Sequence, residues 1–364
     1  MTKNKSPLVI HIIPYMRSFV SGPTHSVWNL FKYSRINNSE IWALDFKVNV
    51  RDAKSIRYFK KQFHWRVGFS YSFFINIIKV LKKEEVIIHN HGLWMIQSLF
   101  PLLVKNKKAK IIQSPRGAFS EISMKRGGFV KKIFWSLLQK PALKRVDIFH
   151  ATSKEEKKQI QNLGFNQPIF ILPNGVEVNF KNNSLKKQSN IFIYLGRFHP
   201  EKNIELLIKC WENFSNNHKL KLYGEGSFEY VKSLKKIIKL KNIKNIEFCS
   251  PVYDLEKKSV IESCKAMLFP SLSENFGVVI AEVLAMGKPV LCTSGTPWED
   301  INEYNAGFCV NGDFDSFSNG IQNLIKISSK DYNIMCNNAL NLIEKKYMWK
   351  SLGLKYKNII YEET

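Results

Sequence analysis

Short runs of β-branched and apolar residues recur along this chain, separated by helical stretches, and this alternation constrains its fold more than any other feature. The first half carries "LVIHIIPY" (8–15), "EVIIHNH" (85–91), "KIIQSP" (110–115), "DIFHAT" (147–152) and "PIFILPNG" (168–175), with helical stretches such as His25–Ile36 and Gly127–Lys144 between them. Strand followed by helix, repeated, is the signature of a parallel sheet with crossover connections. After "LPNGVEV" the residues "KNNSLKKQSN" (181–190) are polar and aperiodic, and read as a linker or loop. The alternation then restarts with "NIFIYLGRF" (190–198), "HKLKLYGEG" (218–226), "NIEFCS" (245–250), "KAMLFPS" (265–271), "KPVLCT" (288–293) and "GFCV" (307–310). Two open α/β halves follow from this pattern. Ligands of such sheets bind beyond the carboxyl ends of the strands, and the natural site of a two-domain arrangement is the cleft between the halves.

The 364 residues are long for one core, and a 45% hydrophobic, 13% aromatic content is ample for two. Charge, His or Pro interrupts every apolar stretch within about a dozen residues, short of the roughly 20 that a membrane span needs. The start, "MTKNKSPLVIHIIPY", runs into a strand-like pattern without a small-residue cleavage site, so a cytosolic protein without a secretion signal is expected. None of the six cysteines forms a Cys-x-x-Cys pair, which suits buried thiols in a reducing compartment. Charge is uneven. Residues 1–175 hold 30 Lys and Arg against 9 Asp and Glu, and residues 176–364 hold 25 against 21. A strongly basic half attracts anions: nucleic acid, anionic lipid or phosphorylated ligands.

Several motifs have residue types suited to such ligands. In "GRFHPEKNIELLIKCW" (196–211) a strand ends at Gly196, and Arg197 and Lys202 flank the turn that follows. A planar fork and a point charge at a strand's carboxyl end suit a diphosphate, although a solvated loop has the same composition. In "SLSENFGVVIAEVLAMGKPVLCT" (271–293) a helix is predicted to start near Val278, where free N–H groups favour an anion. Glu274 precedes that helix and Glu282 lies one turn inside it. Helix-dipole preference alone explains Glu282 well and Glu274 less well. The first βα turn has one glycine, Gly22, where a dinucleotide fingerprint has three, yet it lets backbone N–H groups approach a phosphate. "HNHGLWM" (89–95) and "SPRGAF" (114–119) put His89 or His91, and Arg116, at the carboxyl edge of the basic half.

Asp313 and Asp315 form an Asp-x-Asp of the kind that can hold a divalent metal. Turn and N-cap chemistry accounts for them here. No His, Cys or Asp cluster has metal-ligand spacing, so no metal and no cofactor are expected. Basic, aromatic-rich segments occupy 54–69 and 124–145. The second is amphipathic, with Phe129, Ile133, Phe134, Leu137 and Leu138 on one side and Lys131, Lys132 and Lys140 elsewhere. It suits either an anionic membrane surface or a core-facing helix with a solvated basic face.

Taken in order, "LPNGVEV", "GRFHPEKN", "YGEG" and "PSLSENFGVVIAEVLAMGKPVLCT" resemble the retaining glycosyltransferases of family 4, whose hallmark Glu-x7-Glu is Glu274 and Glu282 here. "HGLWM", "SPRG" and "GTPWED" resemble a subgroup from bacterial polysaccharide and lipopolysaccharide assembly. The resemblance implies the α/β GT-B fold, two Rossmann-like doubly wound domains facing across a cleft. The expected domains are 1–175 and 176–346, with the last helix, about 347–364, packing back on the first. It implies that Glu274 and the backbone of Asn275, Phe276, Gly277 and Val278 hold the hydroxyls and phosphates of a nucleotide sugar, with Glu282 on the ribose. Arg197 and Lys202 would neutralise the leaving diphosphate, with Gly22 and Gly196 against the phosphates and Ser250 to Tyr253 near the base. Ser250 stands where the family often has glycine. Arg116 stands where many members have histidine, which leaves Arg116 and His91 as alternatives for contact with the donor sugar.

The implied reaction is front-face attack with retention. The leaving phosphate accepts the acceptor's proton, and cations and a helix start stabilise it without a metal. The implied acceptor is a saccharide or lipid-linked saccharide on the inner face of the cytoplasmic membrane, reached by a peripheral protein that binds an anionic surface. No nucleic-acid reader motif is present, so nucleic acid is not an expected partner. A sugar-nucleotide epimerase on the same fold is the runner-up.

Overall fold

The computed structural model describes residues 6–16, 22–44, 55–62, 68–83, 85–125, 128–177, 189–214 and 217–362. Most of the expected 181–190 linker, part of the first βα turn and parts of the 54–69 segment lie outside these. The chain divides into two units, Met1–Asn174 with Trp349–Thr364, and Gly175–Met348.

Unit 1 is built on β1 (Leu8–Tyr15), β2 (Ser39–Leu44), β3 (Ile56–Phe59), β4 (Val86–His91), β5 (Ala109–Ser114), β6 (Ile148–Ala151) and β7 (Ile169–Ile171). All pair in parallel, in the order β3-β2-β1-β4-β5-β6-β7. Strands covered on both faces read as continuous apolar runs, and β4 is buried at every residue. β2 and β3 escape a sequence reading because "SEIWAL" opens with polar residues and "IRYF" is only four residues long. The strand order reverses between β1 and β4, which makes their carboxyl ends the switch point where open α/β sheets bind ligands.

The helix Trp349–Glu362 returns to unit 1 after the whole of unit 2. It buries Trp349, Leu352, Tyr356 and Ile360, a stripe at helical spacing, in a cluster with Val9, Leu30, Ile36, Ile87, Ile112 and Leu172. Gly353 lets this helix cross the Gly22–Ser34 helix closely, since a Cβ there would sit 2.3 Å from the carbonyl carbon of Tyr33. Gly353→Ala therefore reverses the usual sign of that change in a helix. Alanine normally gains stability over glycine, but here overpacking costs about 1–3 kcal/mol. A lowered urea midpoint checks this, and an unchanged or raised midpoint counts against the close crossing.

Unit 2 contains β8 (Ile191–Leu195), β9 (Lys219–Tyr223), β10 (Ile246–Cys249), β11 (Ala266–Phe269), β12 (Val290–Thr293) and β13 (Gly307–Val310). These are parallel, in the order β10-β9-β8-β11-β12-β13, with the reversal between β8 and β11. Phe192, Tyr194, Trp211, Phe269, Trp298 and Phe317 are almost wholly buried in its core. The Asp-x-Asp has the expected local role. Asp313 caps the helix Phe314–Lys326, its carboxylate accepting from the Ser316 N–H at 2.8 Å. Cys210, Cys264 and Cys292 are buried, while Cys249, Cys309 and Cys336 are partly exposed, and all six are free thiols.

Candidate functional site

Unit 2 gathers its expected residues at the β8/β11 switch point. After β8, Gly196 and Arg197 lead into a 3-10 turn, Pro200–Lys202, capped by His199, whose Nδ1 accepts from the Glu201 N–H at 3.3 Å. Asn203, at φ +50, redirects the chain into the helix Ile204–Trp211. The loop after β11 is tied to that turn, because the Leu272 N–H (2.8 Å) and the Ser271 hydroxyl (3.2 Å) both donate to the Glu201 carbonyl. The Glu274 N–H donates to the Gly295 carbonyl at 2.8 Å, which ties it to the loop after β12 as well. Three loops thus hold Lys202 against Glu274, and the ammonium donates to Oε1 of the carboxylate. These side chains are only 14% and 16% exposed. Arg197 is exposed, and its guanidinium has no hydrogen bond or ion pair among the described residues.

The helix Val278–Ala285 starts at Gly277, whose φ of +77 is strained for any other residue. The Val278 and Val279 N–H groups have no intrahelical acceptor, while the Ile280 N–H donates to the Gly277 carbonyl at 2.9 Å. Phe276 serves the core with its side chain, tilted against Trp298 and Tyr347, and its carbonyl accepts from the Trp298 indole. Of the Phe276 polar groups this leaves only the N–H uncommitted among the described residues.

Glu282, fifth in that helix, accepts from Lys257 at 2.8 Å. Lys257 lies on the helix Asp254–Ser263, which Tyr253 precedes as N-cap residue, 47% exposed, with Ser250 exposed just before it. Glu282 is thereby joined through Lys257 to the helix that starts at the Ser250–Tyr253 loop. Sequence reasoning missed Lys257, because nothing in "DLEKKSV" distinguishes it from Lys258.

Unit 1 brings its histidines together at the β1/β4 switch point. Register pairs His11 with His89, and the strand period of two puts His91 on the same face as His89. His150 on β6 joins them, and all four are buried. Burial, with the nearby Arg116 cation, pushes His11 and His150 down to about 3 and holds His89 and His91 well below the ordinary range.

Neutral rings fix the direction of each hydrogen bond. In one chain the Tyr356 hydroxyl donates to His89 Nδ1 at 2.7 Å, His89 Nε2 to His150 Nδ1 at 3.3 Å, and His150 Nε2 to the Leu172 carbonyl at 2.8 Å. In the other, Arg116 donates to His91 Nδ1 at 3.2 Å and His91 Nε2 donates to His11 Nδ1 at 3.1 Å. This leaves the buried His11 Nε2 without a partner. The ring nitrogens of His11, His89 and His91 come within 4.8 Å of one another, close enough to hold a metal. Each acceptor lone pair of the three is nevertheless taken by a donor, and a cation would sit beside a guanidinium. In this structure the cluster is a hydrogen-bond network.

Both candidate contacts for a donor sugar belong to this network. His91 is 3% exposed with both ring nitrogens engaged. Arg116 is part-buried at φ +56, held by Asn174 Oδ1 at 2.6 Å and Ser26 Oγ at 3.4 Å, and its Nε has no partner. Burial lowers its guanidinium to about 10, against the opposing pull of Glu156. Gly22 opens the helix Gly22–Ser34, exposed, with open space where a side chain would stand. His11, His150, Asn174 and Tyr356 went unread in the sequence. The available signal was a histidine inside each of three buried apolar strands.

Two doubly wound parallel sheets, each with polar groups gathered at its switch point, make this a GT-B fold. Residues 37–180 match the family described as Glycosyltransferase Family 4, and residues 175–341 that described as Glycosyl transferases group 1. The chain is 29% identical over 230 residues to the uncharacterized glycosyltransferase MJ1178 of Methanocaldococcus jannaschii, covering 61% of each. It is 25% identical over 202 residues to the O-antigen chain mannosyltransferase RfbU of Salmonella typhimurium, covering 54% of this chain and 56% of that one. It thus spans less than two-thirds of the length of these relatives. Among solved structures, Anabaena Alr3699/HepE in complex with UDP is similar in fold, with a TM-score of 0.78 at 14% identity over 98% of this chain and 100% of that one.

Proposed function

We propose that this protein is a hexosyltransferase that moves a sugar from a nucleotide-sugar donor to a saccharide or lipid-linked saccharide, with retention and without a metal, in cell-surface polysaccharide or lipopolysaccharide synthesis. The observation that carries this reading is the Lys202–Glu274 pair, fastened by three loops beside a helix start at the switch point. The UDP and UDP-glucose complexes of HepE and the mannosyl transfer ascribed to RfbU support it.

In this reading the incoming diphosphate takes Lys202 from Glu274. The released carboxylate then accepts from a hydroxyl of the donor sugar, so one exchange of partners sets both groups. Arg197 adds the second cation, and the N–H groups at Gly277–Val278 receive the charge that develops on the leaving group. The bond from the anomeric carbon to the diphosphate breaks as the bond to the acceptor oxygen forms on the same face, and the acceptor's proton passes to a phosphate oxygen. Glu282, oriented by Lys257, holds the ribose hydroxyls. Among the described residues no helix is long and apolar enough to cross a membrane, which is compatible with a peripheral protein on the inner face of the cytoplasmic membrane.

UDP-, GDP- and dTDP-sugars offered with membrane extract, in EDTA, test the proposal. Transfer from one donor class, undiminished by EDTA and with the donor's anomeric configuration in the product, is expected. An isomerised donor in the absence of acceptor, or loss of transfer in EDTA, counts against it.

A further inference from the structure

β12 and β13 pair in parallel, and their register sets Cys292 opposite Cys309. Register partners on neighbouring strands share one face of a sheet, with Cα atoms about 4.8 Å apart. That separation lies inside the roughly 4.4–6.8 Å that a disulfide spans. A side-chain hydrogen bond already joins the two thiols. None of the other four cysteines stands opposite another in a strand register. Cys249 is paired with Tyr223 of β9, and Cys210, Cys264 and Cys336 lie outside the strands.

The two thiols differ in their surroundings. Cys292 is fully buried, while Cys309 is partly exposed on β13, the edge strand of its sheet. Burial pushes the Cys292 thiol well above its ordinary range, and the hydrogen bond from Cys292 holds the Cys309 thiol below its ordinary value. Cys309 therefore ionises first, and it is the one that an oxidant in solution reaches. The loop after β12 connects this pair with the Glu274 loop. Cys292 shares a side-chain hydrogen bond with Thr296, and the Ser294 N–H donates to the Val310 carbonyl at 2.7 Å. The Gly295 carbonyl receives the Glu274 N–H, and the Trp298 indole holds the Phe276 carbonyl. "GTPWED", which the transfer chemistry leaves unused, thus bridges the thiol pair and the site.

We propose that Cys292 and Cys309 close to a disulfide under a peroxide, and that the closed pair slows transfer by shifting the Gly295–Trp298 loop. The Cys309 thiolate attacks a peroxide oxygen. The S–O bond forms as the O–O bond breaks, and hydroxide leaves and takes a proton from solvent. The Cys292 sulfur then attacks the sulfenic sulfur, the S–S bond forms as the S–O bond breaks, and water leaves with the Cys292 proton. Two thiols and one hydrogen peroxide give one disulfide and two waters. The S–S bond is about 2.05 Å long, shorter than any contact between unbonded sulfurs, so the end of β12 moves and carries the loop with it. A reducing thiol reopens the pair by exchange. The effect on transfer rests on the proposed function, whereas the disulfide is read by mass without donor or acceptor.

The test treats the reduced full chain briefly with hydrogen peroxide. Digestion without reductant, by a protease that cuts after glutamate, then separates the two cysteines at Glu299 and Glu303. The expected product is a linked pair of fragments carrying Cys292 and Cys309, lighter by two hydrogens than its parts. Cys309→Ser abolishes it and dithiothreitol reverses it. Transfer slows in step by roughly tenfold or more, as when reacting groups are displaced by about an ångström, and dithiothreitol restores it. Cys309→Ser and Cys336→Ser both turn over normally when reduced, and only Cys309→Ser keeps its rate under peroxide. Three results overturn the proposal: no linked fragment, sulfinic or sulfonic acid at Cys309 in its place, or a linked protein that transfers at the reduced rate. A linked fragment from a protein that transfers nothing when reduced supports the thiol pair and counts against the proposed function.

Discussion

Lys202→Ala slows transfer at saturating donor by about 10²–10³-fold, the cost of removing one preorganised charge from a developing anion. The ammonium is held in place before any ligand arrives, with its side chain 14% exposed, so no reorganisation is needed as the diphosphate departs. Donor affinity falls as well, for a separate reason. Without Lys202 the Glu274 carboxylate has lost its counterion and faces the incoming phosphates. Glu274→Gln in the same chain removes that repulsion. The double variant regains donor affinity relative to Lys202→Ala, while its kcat stays low. Steady-state kinetics of the two single variants and the double variant separate these effects. A Lys202→Ala protein with near-normal kcat sinks the assignment.

Acid weakens unit 1 well above the pH at which carboxylates titrate. An unfolded histidine titrates near 6.5, whereas folded His11 and His150 do so near 3. Below pH 6.5 the unfolded chain therefore takes up protons that the folded chain refuses. The stability these two contribute is complete above pH 6.5 and is lost as the pH falls toward 3. The slope is about 1.4 kcal/mol per pH unit for each, or about 2.7 kcal/mol for the pair. His89 and His91 are shifted in the same direction and steepen the loss. The groups facing the four rings are Arg116, which opposes their protonation, and Tyr356, which donates to one of them. Urea midpoints at pH 7 and pH 5 read the effect. Equal midpoints would mean that the histidines are not held neutral.

The parallel sheets were legible because buried strands leave apolar runs, and Arg197, Lys202, Glu274 and Gly277 because each stands in a turn just after a strand, although the meeting of Lys202 with Glu274 spans 72 positions and was not. The histidine network was not. His11 meets His91 across 80 positions and His89 meets Tyr356 across 267, and no local spacing records either meeting. Lys257 was hidden for a related reason, since only the placement of its helix selects it from its lysine neighbour. The facing of Phe134, half-buried where Phe129 is exposed, was misjudged. It precedes the π-turn Trp135–Gln139, and at about 100° per residue it already falls roughly 140° from Phe129 on the helix.

The return of the Trp349–Glu362 helix to the first unit bears on how the protein is made. A ribosome builds the chain from the N-terminus, and domains generally fold as they emerge. Unit 2 is one uninterrupted stretch and can close as soon as its last residues are out. Unit 1, although synthesised first, waits for Tyr356 before His89 has its donor and before Val9, Leu30 and Ile112 are covered. The half that is born first is thus finished last. A nascent chain halted before residue 349 would carry an open apolar strip, an early marker by which the cell's quality control could recognise an incomplete product.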